Sequence, residues 1–260
     1  MQALRRLYFE FDTNISFSQS VSEHAFLLRC IPKSNPSQQI SRFTVEIKPQ
    51  EGPLTFSSDC FGNPVCSGRV TLPHSSFSYS CRGMVYRDDS RKPPEKPMEC
   101  YRYPSALTAV TPELTEFLSE VPEQPTARET AEAICEAVHS HFSYTPGITT
   151  TSTAAGDAFL LGQGVCQDYA HVFLALARQR GLYARYVCGL PEGDGYSHAW
   201  VEVWDDDCWH GYDPTRMVPV DEGYIQLSVG RDFMDCPVER GQMLGICTQT
   251  QSSFMRVYQK

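Results

Sequence analysis

Cys166 follows Gly162-Gln163-Gly164-Val165 and heads a run with helical spacing. Apolar residues recur at Tyr169, Val172, Phe173, Leu176 and Ala177, the i, i+3, i+4, i+7, i+8 pattern of one helix face, and Gly181 ends the run. A thiol in the first turn of a helix lies beside backbone N–H groups without intrahelical acceptors and at the positive end of the helix dipole. Both favour the thiolate, which is the nucleophile. The competing reading is that Cys166 is one of eleven cysteines and packs as a small hydrophobe.

A nucleophilic cysteine needs a base within hydrogen-bond reach and a group that orients the base. His171 lies about 140° and Asp168 about 200° around the helix axis from Cys166, so the base must come from another element. His198 is on an apparent strand, Ser197 to Trp204, that follows the glycine-bearing loop Gly193-Asp194-Gly195. With Asp205-Asp206 as the centre of a hairpin to the next strand, Cys208 to Asp213, directly paired residues have numbers that sum to 411, as do 198 and 213. His198 and Asp213 would then share a face with Cβ atoms roughly 5 Å apart, completing a Cys166-His198-Asp213 triad. A one-residue slip would put them on opposite faces. Taken singly, His198 reads as a polar residue on an aromatic sheet face, and Asp213-Pro214 as a turn initiator. A zinc site from His198, Cys208, His210 and Asp213 is a competing constellation, although His210 and Asp213 differ in strand parity and no paired-ligand spacing occurs.

The elements that must position these residues change texture along the chain. Leu7–Phe11, Ala25–Ile31, Phe43–Ile47, Leu54–Phe56, Pro64–Val70 and Phe77–Val85 read as short strands between Ser, Asn, Pro and Gly clusters, which predicts an antiparallel β-sandwich. Asp59-Cys60-Phe61-Gly62-Asn63 supplies a tight turn. The charged, proline-rich Arg91–Pro97 is a linker or surface loop, and a boundary just beyond it gives two domains, 1–105 and 106–260. Helices follow: Pro112–Leu118 with Thr111 as N-cap, and Ala127–His141. After the Cys166 helix the period returns to strands, Tyr183–Gly189, Ser197–Trp204 and Cys208–Asp213, so the second unit is α+β.

At 260 residues and 41% apolar composition the chain can hold a sizeable core. A net charge of -9 without a long basic run argues against nucleic acid or an anionic membrane surface as partner. Met1-Gln2-Ala3-Leu4-Arg5-Arg6 leads into Glu10 and Asp12 rather than an apolar signal segment, and no apolar run is long enough to span a bilayer. Scattered single cysteines fit neither a disulfide framework nor a zinc ribbon, although Cys60 and Cys66 flank a turn. Free thiols in a reducing cytoplasm are expected. His24 and His74 are lone histidines with no evident chemistry. The sequence does not indicate an oligomeric state.

Three blocks carry a family resemblance: Gly164-Val165-Cys166-Gln167-Asp168-Tyr169-Ala170-His171, Ser197-His198-Ala199-Trp200-Val201-Glu202-Val203 and Trp209-His210-Gly211-Tyr212-Asp213-Pro214-Thr215. In order and spacing they resemble the transglutaminase-like superfamily, and especially its bacterial cysteine peptidases; Gly230-Arg231-Asp232-Phe233, Pro237 and Arg240-Gly241 resemble the family's C-terminal segment. The first hundred residues are similar to the β-rich region that accompanies this domain. The resemblance implies a papain-like α+β core without a cofactor or metal, with Cys166 as nucleophile, His198 as general acid/base and Asp213 as its orienting partner. It implies attack on an amide of a peptide or protein substrate through a thioester. Water as acceptor gives a peptidase or amidase; an amine gives a transglutaminase, and hydrolysis is favoured because calcium-binding acidic loops are not recognisable. Asp205-Asp206-Asp207 reads as a solvated hairpin tip. A non-catalytic peptide-binding module and a zinc hydrolase are the remaining alternatives. The Cys166 N–H is the first oxyanion donor and Gln163 a candidate second, whereas Gln167 can instead pack or cap. Tyr169 and Trp200 are candidate walls of the substrate cleft, with core packing as the alternative.

Overall fold

A computed structural model describes residues 4–92 and 94–260, so Met1–Ala3 and Pro93, part of the N-terminal and proline-rich readings above, lie outside the described residues. In chain order the elements are β1 (Arg5–Leu28), β2 (Gln38–Lys48), β3 (Thr55–Ser58), β4 (Pro64–Val70), β5 (His74–Arg87), α1 (Pro112–Glu120), α2 (Ala127–His141), β6 (Ser143–Tyr144), α3 (Ala155–Leu161), β7 (Gln163–Gly164), α4 (Cys166–Gln179), β8 (Ala184–Pro191), β9 (Gly193–Gly195), β10 (His198–Asp205), β11 (Cys208–Tyr212), β12 (Tyr224–Gly230), β13 (Glu239–Leu244) and β14 (Gln249–Gln259).

The N-terminal β-region is built on β1. Leu7, Phe9, Phe11, Ile15 and Phe17 are buried while Asn14, Ser16 and Ser18 between and after them are exposed, the period-two pattern of a strand with one wet face. The polar residues that suggested a break between two strands are therefore the solvent side of one strand of 24 residues. Its first half pairs with β5 and β14, and its second half with β4 and β13. The register shifts between Ser16 and Val21, which lets one strand serve two antiparallel layers. The 105/106 division does not follow the sheet: residues of β13 and β14, assigned by sequence to the second unit, pair with β1. Such closure needs long-range pairing that no local pattern announces.

The second sheet runs β11-β10-β8-β12, all antiparallel. Ala199, Val201 and Val203 of β10 join a core with α2, α3 and α4. Although its sequence shows one apolar stripe, α4 is buried at every position from Gln167 to Arg178. Two of its polar residues bond within the fold: Arg178 donates to the carbonyls of Tyr101, Ala184 and Arg231 and to the Thr108 hydroxyl, and His171 Nε2 accepts from the Phe233 N–H at 3.2 Å. The helix carrying Cys166 is thus the hub of the second unit.

The other face of this sheet meets the N-terminal region, with Leu190, Ile225 and Leu227 in the same apolar cluster as Phe9 and Phe11. β12 ends the sheet and would expose unpaired backbone groups. Two fully buried side-chain amides cover it. Asn63 gives and receives hydrogen bonds with Val229 N–H and C=O, both at 2.8 Å, and Gln38 does the same with Gln226, also at 2.8 Å. The Asp59–Asn63 turn presents Asn63, with Gly62 at φ +71 and Asp59 Oδ1 accepting from the Phe61 and Asn63 N–H groups. The proline-rich stretch also docks: the Glu95 N–H donates to Asp207 C=O, and Glu95 C=O accepts from Trp204 Nε1.

Asn63→Leu and Gln38→Leu would each strand a backbone N–H and C=O on β12. We expect each to lower unfolding free energy by about 1–3 kcal/mol. Urea denaturation checks this, and a variant as stable as the parent would show that these amides do not dock the two regions.

Candidate active site

Two glycines deliver Cys166 to its helix, each for a separate reason. Gly162 ends α3 in the left-handed region at φ +60. Gly164 has no room for a side chain, since a Cβ would lie 2.5 Å from Asp168 Oδ2. That oxygen accepts from the Val165 N–H at 2.8 Å and the Thr149 hydroxyl at 2.7 Å, so Asp168 closes the first turn of α4 rather than acting as the base. Cys166 follows as the first helical residue and is partly exposed. His171 is fully buried inside the fold, where burial drops its pKa to about 4.

His198 opens β10 and Asp213 follows the end of β11. His198 Nε2 and Asp213 Oδ2 are 2.7 Å apart. The hairpin differs from the expected register: Asp205 pairs with Cys208 and Glu202 with Gly211, so paired numbers sum to 413, not 411. The turn residues are Asp206 and Asp207, both with positive φ (48 and 61), which aspartate tolerates and a tight two-residue hairpin turn requires. A slip of two residues preserves the face. Asp213 therefore reaches His198 diagonally rather than from the directly opposite position.

Asp213 is 1% exposed and uses both carboxylate oxygens twice. Oδ1 accepts from the N–H groups of Thr215 and Arg216 (3.0 and 3.1 Å), and Oδ2 from His198 and from the Tyr224 hydroxyl (2.9 Å). Burial raises its pKa, but these hydrogen bonds and the His198 charge outweigh it and hold the carboxyl below its ordinary value. Burial likewise lowers that of His198; the hydrogen bond the ring donates to Asp213, its hydrogen bond with Cys166, and the charges of both overcome it and raise the ring to about 9. With Nε2 on Asp213, Nδ1 is the nitrogen left for Cys166. Cys166, His198 and Asp213 are thereby brought together from three separate parts of the chain.

The other candidates are placed differently. Tyr169 packs against Phe142 at 4.7 Å between ring centroids and Trp200 against Tyr224 at 5.2 Å; both are core residues. The Gln167 amide donates to Thr151 C=O, tying down a loop. Gln163 is exposed in β7, which pairs with β6. Cys208 and His210 touch at 3.2 Å, but among the described residues no group of three or more His, Cys, Asp or Glu gathers as a metal site. All eleven cysteines are unpaired, Cys60 and Cys66 included. Two residues beside the site escaped the sequence reading. Tyr224 belongs to a continuously buried strand without alternation, and Tyr144, exposed and paired with Gly164, reads as a helix stop; burial and the Cys166 charge raise its hydroxyl pKa.

Family comparison adds an independent line. The model for the "transglutaminase-like superfamily" matches residues 114–214, and that for the "bacterial transglutaminase-like N-terminal region" matches residues 7–86. The chain belongs to the transglutaminase-like superfamily. An uncharacterised protein of Mycobacterium tuberculosis is 30% identical over 249 residues, covering 81% of this chain and 78% of its own. One from Mycobacterium leprae is 28% identical over 237 residues, covering 82% and 84%. A crystal structure from Cytophaga hutchinsonii, described as a "putative cysteine protease", superposes with a TM-score of 0.83 at 21% identity, over 99% of this chain and 91% of that one, and shows the shared fold. In this transglutaminase-like chain the superfamily model ends at Asp213-Pro214, while Tyr224 lies beyond it.

A histidine raised from 6.5 to about 9 by folding stabilises the fold in full below 6.5 and loses that contribution as pH rises through about 9. The stability advantage of the parent over His198→Gln is therefore expected to shrink between those pH values. Thermal unfolding of both proteins across the range measures it; a constant difference would contradict the raised pKa.

Proposed function

We propose that the protein is a thiol-dependent acyl hydrolase, a cysteine peptidase or amidase working through a thioester. The observation that carries this reading is the buried Asp213 holding His198 at 2.7 Å while the same ring faces the partly exposed Cys166. A proton passed from the Cys166 thiol to the His198 ring leaves a thiolate nucleophile beside an imidazolium. Cys166 Sγ attacks the amide carbon, forming an S–C bond while the carbonyl oxygen takes the negative charge. The Cys166 N–H is one donor to that oxyanion and the Gln163 amide is the candidate second. The C–N bond then breaks as His198 gives its proton to the departing amine, leaving a thioester. His198, now neutral, removes a proton from water, which attacks the thioester and releases the acid and Cys166. Asp213 keeps the ring oriented through both proton transfers, and Tyr224 keeps Asp213 in place.

The accepted substrate is a peptide or protein amide. Tyr144, exposed beside Gly164, supplies an aromatic surface next to the sulfur. Eleven unpaired cysteines fit a reducing compartment such as the cytoplasm. Among the described residues no helix is long and apolar enough to cross a membrane.

Iodoacetamide at neutral pH should modify Cys166 ahead of the other cysteines, and His198→Ala should abolish that selectivity. Mass spectrometry of the alkylated protein reads both; an unreactive Cys166 sinks the proposal. With a mixed peptide library, cleavage products should form and fall by on the order of a thousandfold or more in Cys166→Ala. Incorporation of an added primary amine in place of cleavage would reassign the activity to acyl transfer.

A further inference from the structure

The sequence shows His24 and His74 as lone histidines fifty residues apart, and the fold of the N-terminal β-region joins them, with His24 Nδ1 3.2 Å from His74 Nε2. The ring centroids are 5.4 Å apart and the planes 13° from parallel, so the facing nitrogens lie between the ring centres and the imidazoles meet edge to edge. The pair ties β1 to the start of β5 at an irregular place: the register of β1 against β13 shifts between Ser22 and Ala25, and Glu23 there has a φ of +52. His24 is wholly buried, with the rings of Phe77, Phe17 and Phe26 at 4.7, 6.0 and 6.2 Å. His74 is half-buried, and its Nδ1 lies 2.9 Å from the Leu72 carbonyl oxygen.

These contacts place the protons. A carbonyl only accepts, so His74 Nδ1 carries the hydrogen and donates to Leu72. The other nitrogen of a neutral imidazole is an acceptor, so His74 Nε2 accepts from His24 Nδ1–H. His24 Nε2 is left as a lone pair, buried and without a partner. An added proton has two places on the intact pair. On His24 Nε2 it charges a ring enclosed by phenylalanines. On His74 Nε2 it makes His24 accept at Nδ1 and carry its own hydrogen at Nε2. Both routes put an N–H on the one nitrogen that has no acceptor, and burying a charge or an unpaired donor there is costly.

The charged groups around the pair do not relieve this cost. Glu23 of β1 is paired with Arg69 of β4. Glu51, in the loop after β2, accepts from the N–H groups of Thr71 and Leu72, and its carboxylate attracts a charged His74 rather than a charged His24. On β13, Glu239 approaches from the Gly241 side, where burial favours its neutral form. Burial, and then the His74 charge, lower the His24 pKa to about 4.

We propose that His24 and His74 form an acid-sensitive clasp, closed while both rings are neutral and released when His74 takes a proton from solvent and gives up its bond to His24. A histidine whose folded pKa lies below its unfolded value contributes fully above 6.5, and that contribution is lost as pH falls toward 4. Release loosens the β1 irregularity and the turn between β4 and β5. The clasp is independent of the acyl-transfer reading, since it lies in the N-terminal region and is read without substrate.

Segment-resolved hydrogen exchange of the full-length protein, corrected for the intrinsic effect of pH on exchange, follows the clasp. Protection of residues 20–26 and 70–76 should fall by about tenfold or more between neutral pH and about pH 5, and by more than that of the rest of the chain. His74→Gln keeps a donor and an acceptor without titrating, and His24→Phe replaces the buried imidazole with another apolar ring; each should make protection of these segments insensitive to pH over that range. A parent-like melting transition at neutral pH shows that a variant folds, and if neither variant does, the response of the parent decides. The proposal is overturned if the parent keeps its protection in these segments, loses it no more than elsewhere, or is matched in its pH response by a folded variant.

Discussion

A carboxylate taken almost wholly out of water must find a partner for each of its lone pairs, and Asp213 finds four. Two are backbone N–H groups of the residues that immediately follow it, which fixes the carboxylate to its own turn. The other two are His198 and Tyr224, from β10 and β12. Removing any of these would leave an under-solvated negative charge in a low-dielectric interior, which costs far more than the hydrogen bond itself. The same arrangement makes the histidine basic against the opposing effect of its own burial. Stability and the basicity of His198 therefore draw on one buried pair, and the surrounding sheet has to hold that pair to hydrogen-bond distance.

The support is divided between two regions of the chain. On one face α4 is enclosed on all sides, so the position of Cys166 follows from a rigid core rather than from a surface helix. Gly164 lets Asp168 close over the first turn, and Gly162 turns the chain out of the preceding helix. On the other face the N-terminal strands supply Asn63 and Gln38, whose amides imitate a neighbouring strand along β12. The N-terminal region thus completes the catalytic sheet and places Arg87 and Lys33 over its far surface. β13 and β14 then return to β1, so both ends of the chain are committed to the same β-region.

Much of this was legible locally. Thr111 accepts from the Leu114 N–H as an N-cap, and Thr126 exchanges hydrogen bonds with Glu129 at the start of α2. β4 falls on Pro64–Val70 as its composition suggests. Other elements were hidden for identifiable reasons. In β1 the alternating serines look like loop residues until one face is known to be wet. α3, at seven residues, is too short for a helical period to stand out, and β12, buried on both faces, lacks alternation. The hairpin shows a subtler limit: its turn centre shifted by one position because two aspartates adopt positive φ, yet parity survived and His198 still meets Asp213.

The sequence by itself determined the Cys166 helix, its glycine-bearing approach, the strand parity of His198 and Asp213, and the order of the three blocks, because each is written in spacing within a few residues. Only the tertiary structure decided what lies against what. Tyr169 and Trp200 became core, Tyr224 became the second support of Asp213, and the C-terminal strands joined the first. Those outcomes depend on contacts between residues distant in the chain, whose selection rests on the burial and hydrogen-bond satisfaction of the whole molecule.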